Sequence, residues 1–111
     1  MPKVINICHN AAQDIAYLPK NTVLISISEE HEPEWKLKVK GENVLRLRFS
    51  DVRGVITHKE KIYNPMSIAD ARAIIDFIEK NKEKNIIVNC SMGVSRSGAV
   101  AMFAHVIYGH E

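Results

Sequence analysis

Residues 86–101, IIVNCSMGVSRSGAVA, pass from an apolar run through a short polar loop into a second apolar run. The first run is β-branched and short, which is typical of a central strand covered on both faces. The second run predicts a helix over 95–108 that is apolar nearly all round, and we expect it to be largely buried. Cys90 therefore follows the end of a strand, and Arg96 lies six residues later at the start of a helix.

Strand and helix patterns alternate along the rest of the chain. Strands are predicted over 3–8, 22–28 and 44–49, with a strand or hairpin arm over 35–40 whose lysines form a solvated face. Helices are predicted over 11–18, capped by Asn10, and from Ser67 onward, where Ser67 and Asp70 form a capping-box pair. Such alternation indicates an α/β fold with a mainly parallel sheet of four to five strands and helices on both faces.

Two connections are expected to lie outside these elements. Residues 29–34, EEHEPE, are rich in glutamate and are predicted to form a solvated connection. Residues 50–66 have no clear period, and loops of that length in a compact domain tend to be functional or mobile.

Composition narrows the class of protein. The chain has 111 residues, 46% hydrophobic and 25% charged, which indicates one globular domain over residues 1–111. A formal net charge of +2 without a long basic run argues against nucleic-acid binding. No apolar run approaches the ~20 residues of a membrane span, and the N-terminus lacks a signal-peptide pattern, so we expect a cytoplasmic protein. Cys8 and Cys90 are too few for a disulfide framework and are expected as reduced thiols.

The loop after Cys90 has the composition of an anion-binding site. Backbone N–H groups of a tight loop at a helix N-terminus converge on one point, and Gly93 accepts a positive φ angle. Arg96 adds a permanent charge and a planar fork that suits two phosphate oxygens. A cysteine inside such a loop is stabilised as the thiolate, which is the nucleophilic form. The alternative is a buried Cys90 beside an unrelated surface arginine.

The pattern Cys-x5-Arg-Ser, with glycine as the third intervening residue, resembles the signature loop of the cysteine-dependent protein tyrosine phosphatases. The short chain looks most like their compact dual-specificity members. The resemblance implies that Cys90 forms a phosphocysteine, that Arg96 stabilises the transition state, and that Ser97 donates a hydrogen bond to the thiolate. Ser97 is otherwise a first-turn helix serine. Phosphate oxygens would be bound by the backbone of Ser91, Met92, Gly93, Val94, Ser95 and Arg96, and neither a metal nor a cofactor is implied.

Two further positions follow from the resemblance. Asn89 stands where the family usually has histidine, and it can support the loop by hydrogen bonding but carries no charge, so we expect a slower reaction. Asp51 matches the family's general acid, because it follows strand 44–49 and precedes Cys90 by 39 residues. At the carboxyl end of a parallel strand it would lie on the same side of the sheet as the loop. Its alternative role is that of a turn residue.

Cys8 has two interpretations. Most cysteines outside disulfides are small, buried apolar residues. If the first strand neighbours the nucleophile strand in parallel, however, Cys8 and Cys90 end side by side. Cys8 is then a redox partner that captures oxidised Cys90 as a disulfide.

The sequence thus predicts a phosphatase acting on phosphorylated proteins, with phosphotyrosine as substrate and phosphoserine and phosphothreonine left open. It predicts no membrane partner. The alternatives are a non-catalytic phosphate-binding module of the same fold and a sulfur-transfer or arsenate-reducing enzyme. Family members usually continue with further helices after the one matching 95–108, so uncovered apolar residues on that helix favour a homodimer: Met102, Phe103, Val106 and Ile107.

Overall fold

The computed structural model describes residues 2–33, 35–91, 93 and 95–111. Its elements, in chain order, are β1 (Val4–Cys8), α1 (His9–Gln13), β2 (Thr22–Ser28), β3 (Val44–Arg48), β4 (Ile56–His58), β5 (Lys61–Tyr63), α2 (Ile68–Lys80), β6 (Asn85–Cys90) and α3 (Ser95–Tyr108). Among the described residues, none of the helices combines the length and apolar character that crossing a bilayer requires.

Four parallel strands form the main sheet in the order β1-β6-β2-β3, which confirms the mainly parallel α/β prediction. Strand β6, which ends with Cys90, is central: Cys90 is the register partner of Cys8 on β1, and Asn89 is the partner of Ser26 on β2. Because all four strands run in one direction, their carboxyl ends meet at one edge of the sheet. We call this the site edge, and it carries Cys8, Ser28, Arg48 and Cys90.

The core lies between this sheet and helices α2 and α3. Every residue of β2 is buried, as expected for an internal strand. The buried cluster joins β2, β6, α2 and α3 through Val23, Ile25, Ile27, Phe49, Ile74, Ile78, Ile86, Val88, Cys90, Val100 and Ala104. The capping box is confirmed at the start of α2, where Ser67 Oγ accepts from the Asp70 N–H and the Asp70 carboxylate accepts from the Ser67 N–H.

The opposite face of the sheet is also covered. Leu24 is fully buried although strand alternation directs it away from Val23 and Ile25. Buried apolar side chains outside the core cluster come from α1 and from the segment that follows β2, namely Ala12, Trp35 and Val39. We infer that these segments cover the second face, where the rings of His9 and Trp35 stack at 4.3 Å.

Residues 35–40 are not a strand, so the prediction of a strand or hairpin arm there is wrong. Trp35 and Val39 are buried and the intervening lysines are exposed, which reproduces strand-like alternation without a ladder. The backbone is held instead by a side chain, since the Arg46 guanidinium donates to the Trp35 carbonyl. The alternation therefore reflects a segment that covers one face of the sheet and is anchored there by two buried apolar side chains.

Two other predicted boundaries change. Helix α1 spans only His9–Gln13, and Cys8 rather than Asn10 is its N-cap residue. The loop over 50–66 contains the antiparallel hairpin β4–β5. Its two connecting residues, Lys59 and Glu60, both have positive φ, which is the backbone of a type I′ turn without the usual glycine or asparagine.

Helix α3 has the predicted bounds, and Gly109 follows it with a φ of 75°. The expectation that it is largely buried is wrong, because only Ser97, Val100 and Ala104 are buried along it. Its outer side exposes three apolar side chains by 60–65%, namely Met102, Val106 and Ile107. The helix is apolar all round but contacts the sheet along one side. The homodimer stays a prediction.

Candidate active site

Cys90 and Ser97 are brought together at the start of α3. Cys90 is the last residue of β6 and is 2% exposed, and Ser97, in the first turn of α3, is fully buried. The Cys90 thiol donates to Ser97 Oγ at 3.2 Å. Because a hydroxyl both donates and accepts, the same contact allows Ser97 to donate to a Cys90 thiolate. The serine can thus stabilise negative charge on the sulfur.

The loop between β6 and α3 rests against the end of β1. Gly93 has a φ of 70°, and a Cβ at this position would lie 2.5 Å from the Ile7 carbonyl carbon. The Asn6 side-chain amide donates to the Gly93 carbonyl at 2.6 Å, and the His9 N–H donates to the Ser91 carbonyl at 3.3 Å. Only glycine fits this close approach. Met92 and Val94, which were predicted to contribute backbone N–H groups, lie outside the described residues.

Arg96 is held through Nη1 on one side and through Nη2 on the side of the loop. Its Nη1 donates to Glu29 Oε2 at 3.0 Å and to the Phe49 carbonyl at 2.8 Å. On the loop side, its Nη2 donates to Ser91 Oγ at 3.3 Å. Its Nε is buried and has no hydrogen-bond partner within the described part of the chain. The Nε and Nη2 donors point in the same direction, which is the geometry that grips two oxygens of a phosphate.

Asp51 lies at the site edge, close to the start of α3. It follows β3 by three residues, is exposed, and accepts a hydrogen bond from Ser95 Oγ at 2.9 Å. The predicted acid and the predicted phosphate-binding loop are therefore in direct contact. This contact is compatible with both interpretations of Asp51, as an acid and as a turn residue.

Glu29 is the site residue that sequence reasoning missed. It was assigned to a solvated connection, but its side chain is only 18% exposed and forms the ion pair with Arg96. Its other oxygen accepts a hydrogen bond from Ser50 Oγ. The sequence contained a signal for this position, because Glu29 immediately follows β2. Residues that follow parallel strands of one sheet lie together at one edge.

Asn89 lies on the face of β6 opposite Cys90, as strand alternation requires. Its side chain is fully buried, and neither its amide nitrogen nor its amide oxygen has a hydrogen-bond partner among residues 2–33, 35–91, 93 and 95–111. The predicted hydrogen bond from Asn89 to the loop is not among the described contacts and stays a prediction.

A cleft of about 500 Å³ adjoins the loop between α2, α3 and the residues after β3. Asp51, Ser95 and Arg96 line one part of it, and most of the remaining wall is apolar. Cys90 does not line the cleft, so the cleft approaches the loop from the side of Arg96 and Asp51. A volume of this size suits a small organic group.

Cys8 and Cys90 are adjacent, as the parallel-neighbour hypothesis expected. They are register partners on β1 and β6, and parallel register partners project to the same face. Cys8 is exposed, so its interpretation as a buried apolar residue is wrong.

Metal ligands do not cluster in the described part of the chain: no group of three or more histidine, cysteine, aspartate or glutamate side chains is placed to hold an ion. Comparison with protein-family models, with curated proteins and with solved structures finds no match to this chain.

Proposed function

We propose that this protein is a cysteine-dependent phosphatase that hydrolyses phosphomonoesters through a phosphocysteine intermediate. The observation that carries the proposal is the buried Nε of Arg96, which has no partner among the described residues and belongs to an edge that points toward the Cys90 loop. A buried charged donor left without an acceptor is costly, and a phosphate oxygen at the loop would remove that cost.

In the first step, the Cys90 thiolate attacks phosphorus and the bond between phosphorus and the leaving oxygen breaks. Arg96 and the loop N–H groups bind the phosphoryl oxygens, whose charge is spread over the transition state. The Asp51 carboxylic acid gives its proton to the leaving oxygen, so the alcohol or phenol departs neutral. Asp51 must exchange its hydrogen bond from Ser95 for one to the substrate.

In the second step, water attacks the phosphocysteine. The Asp51 carboxylate takes a proton from that water, the sulfur–phosphorus bond breaks, and orthophosphate leaves. The Ser97 hydroxyl, 3.2 Å from the sulfur, donates to the departing thiolate. After the second step Cys90 is again a thiolate and Asp51 again a carboxylic acid, so the protons and electron pairs balance.

Phosphorylated proteins are the proposed substrates, with phosphotyrosine preferred because the cleft beside Arg96 offers apolar walls to an aromatic ring. A cytoplasmic location belongs to the same proposal, since a reducing compartment keeps the nucleophilic thiol active.

The direct test is hydrolysis of p-nitrophenyl phosphate between about pH 5 and 8 without added metal. Turnover by the wild type that Cys90→Ser abolishes supports the proposal. Vanadate binding without any turnover by the wild type would instead favour a non-catalytic phosphate-binding module.

Asp51→Asn is expected to slow hydrolysis according to how much the leaving group needs a proton. Loss of general acid catalysis costs ~10²-fold or more when the leaving oxygen is strongly basic. We therefore expect a large decrease in kcat/KM, which reports the first step, on phenyl phosphate and a smaller one on p-nitrophenyl phosphate. Asp76→Asn, an exposed aspartate on α2, is the matched control. Equal losses of kcat/KM on both esters would argue that Asp51 does not protonate the leaving oxygen.

Mild peroxide is expected to join Cys8 to Cys90. Neighbouring strands lie about 4.8 Å apart, which is within the ~4.4–6.8 Å Cα separation of disulfides. Peroxide converts the Cys90 thiolate to a sulfenic acid, and the Cys8 thiol then attacks that sulfur and releases water.

Intact-mass analysis checks this reaction. The wild type is expected to lose two hydrogens and to recover activity with a dithiol, whereas Cys8→Ser is expected to gain two or three oxygens and stay inactive. Gain of oxygens by the wild type would contradict the disulfide.

A further inference from the structure

Glu29 lies between the two halves of the candidate site. It directly follows β2, the neighbour of β6, so its carboxylate reaches the site edge. One oxygen pairs with Arg96 Nη1 at 3.0 Å, and the other accepts from Ser50 Oγ. The side chains of Arg96 and Glu29 are 10% and 18% exposed. A carboxylate at this depth needs such partners, because removal from water is costly for an unpaired charge.

The contact with Arg96 determines which edge of the guanidinium faces the loop. The group is planar, so holding Nη1 against Glu29 and the Phe49 carbonyl directs Nε and Nη2 away from both. That second edge lies toward Ser91 and the loop. Without Glu29, one backbone carbonyl remains to orient Nη1.

The contact between Glu29 and Ser50 constrains the position of Asp51, the proposed general acid. Ser50 is buried and immediately precedes Asp51, and its N–H donates to the Asn64 carbonyl at 2.8 Å. The neighbouring Glu30 carboxylate accepts from the Asn64 N–H at 3.0 Å. Residues 29–30 therefore hold both ends of the segment that runs from Asp51 to Asn64.

We propose that Glu29 is a positioning residue that holds the phosphate-binding edge of Arg96 and the Asp51 segment as one unit. This inference rests on the proposed phosphatase function and deepens it. Glu29 does not touch the substrate. Its role is to place the group that binds phosphate and the group that protonates the leaving oxygen at a set separation, and a misplacement of about 1 Å costs on the order of 10²-fold in rate.

The test compares Glu29→Ala, Glu29→Gln and Ser50→Ala with Glu32→Ala, which alters an exposed glutamate of the same segment. Three quantities are measured: vanadate affinity, and kcat on p-nitrophenyl phosphate and on phenyl phosphate. Glu29→Ala is expected to weaken vanadate binding ~10-fold and to lower kcat ~10²-fold, more on phenyl phosphate. Ser50→Ala is expected to reproduce only the leaving-group effect.

Glu29→Gln distinguishes positioning from charge and from loss of folding. Glutamine is isosteric, accepts from Arg96 and pairs with Ser50, so it is expected to restore each quantity to within about threefold of the wild type. Glutamine failing as badly as alanine would overturn the proposal, as would a Glu29→Ala variant that matches Glu32→Ala. Vanadate affinity is measured without turnover. A wild type that binds vanadate but hydrolyses neither ester would therefore refute the phosphatase proposal, while the effect of Glu29 on vanadate binding would still test the positioning of Arg96.

Discussion

Cys90→Ser is expected to reduce hydrolysis of p-nitrophenyl phosphate to the level of buffer, a loss of at least ~10³-fold. Serine keeps the size of the side chain and its contact with Ser97, but a hydroxyl without a general base is protonated and a poor nucleophile. The Cys90 side chain is 2% exposed, and the substitution changes one buried atom, so the fold is expected to persist. Vanadate binding to Cys90→Ser, followed by calorimetry, is expected to weaken far less than turnover.

Cys8→Ser is the matched control, since it makes the same substitution at the register partner on β1. It is expected to retain wild-type turnover under reducing conditions. Substantial hydrolysis by Cys90→Ser would refute a phosphocysteine mechanism at this site.

Arg96→Lys is expected to lower kcat by ~10²–10³-fold, the usual cost of removing a preorganised donor to developing charge. Lysine keeps the positive charge, and it can still pair with Glu29, so stability is expected to change little. It lacks the planar Nε–Nη2 edge, however, and therefore cannot grip two phosphate oxygens at once.

Steady-state kinetics and a thermal melt check this expectation together. Arg72→Lys, at an exposed arginine on α2, is the matched control and is expected to behave as the wild type. Wild-type kinetics in Arg96→Lys would mean that charge alone suffices and that the buried edge has no role in catalysis.

Local chemistry was enough to predict the parts of the site that are close in sequence. The strand, the loop and the helix around Cys90 follow from residue periodicity, and the positive φ of Gly93 follows from the tight turn. The capping box at Ser67 is likewise a contact across three residues. Such features depend on backbone geometry within one or two turns, which a short stretch of sequence determines.

Sequence patterns gave wrong predictions where two different structures share one periodicity. Alternating apolar and charged residues over 35–40 describe a strand or any extended segment with two buried anchors, and only the packing of Trp35 distinguishes them. An apolar helix such as α3 is consistent with burial on all sides or with contact along one side. Hydrophobicity indicates that a side chain favours burial. Whether it is buried depends on which other elements pack against it.

The sequence by itself determined the main parallel sheet, helices α2 and α3, and the succession of strand, loop and helix from Cys90 to Ser97. Only the tertiary structure decided what surrounds that loop: the ion pair between Arg96 and Glu29 spans 67 residues, and the contact between Ser95 and Asp51 spans 44. The physical reason is that parallel strands bring their carboxyl ends to one edge whatever their separation in the chain. Which of the charged residues near that edge becomes buried and paired depends on the register and on the packing of the segments between them.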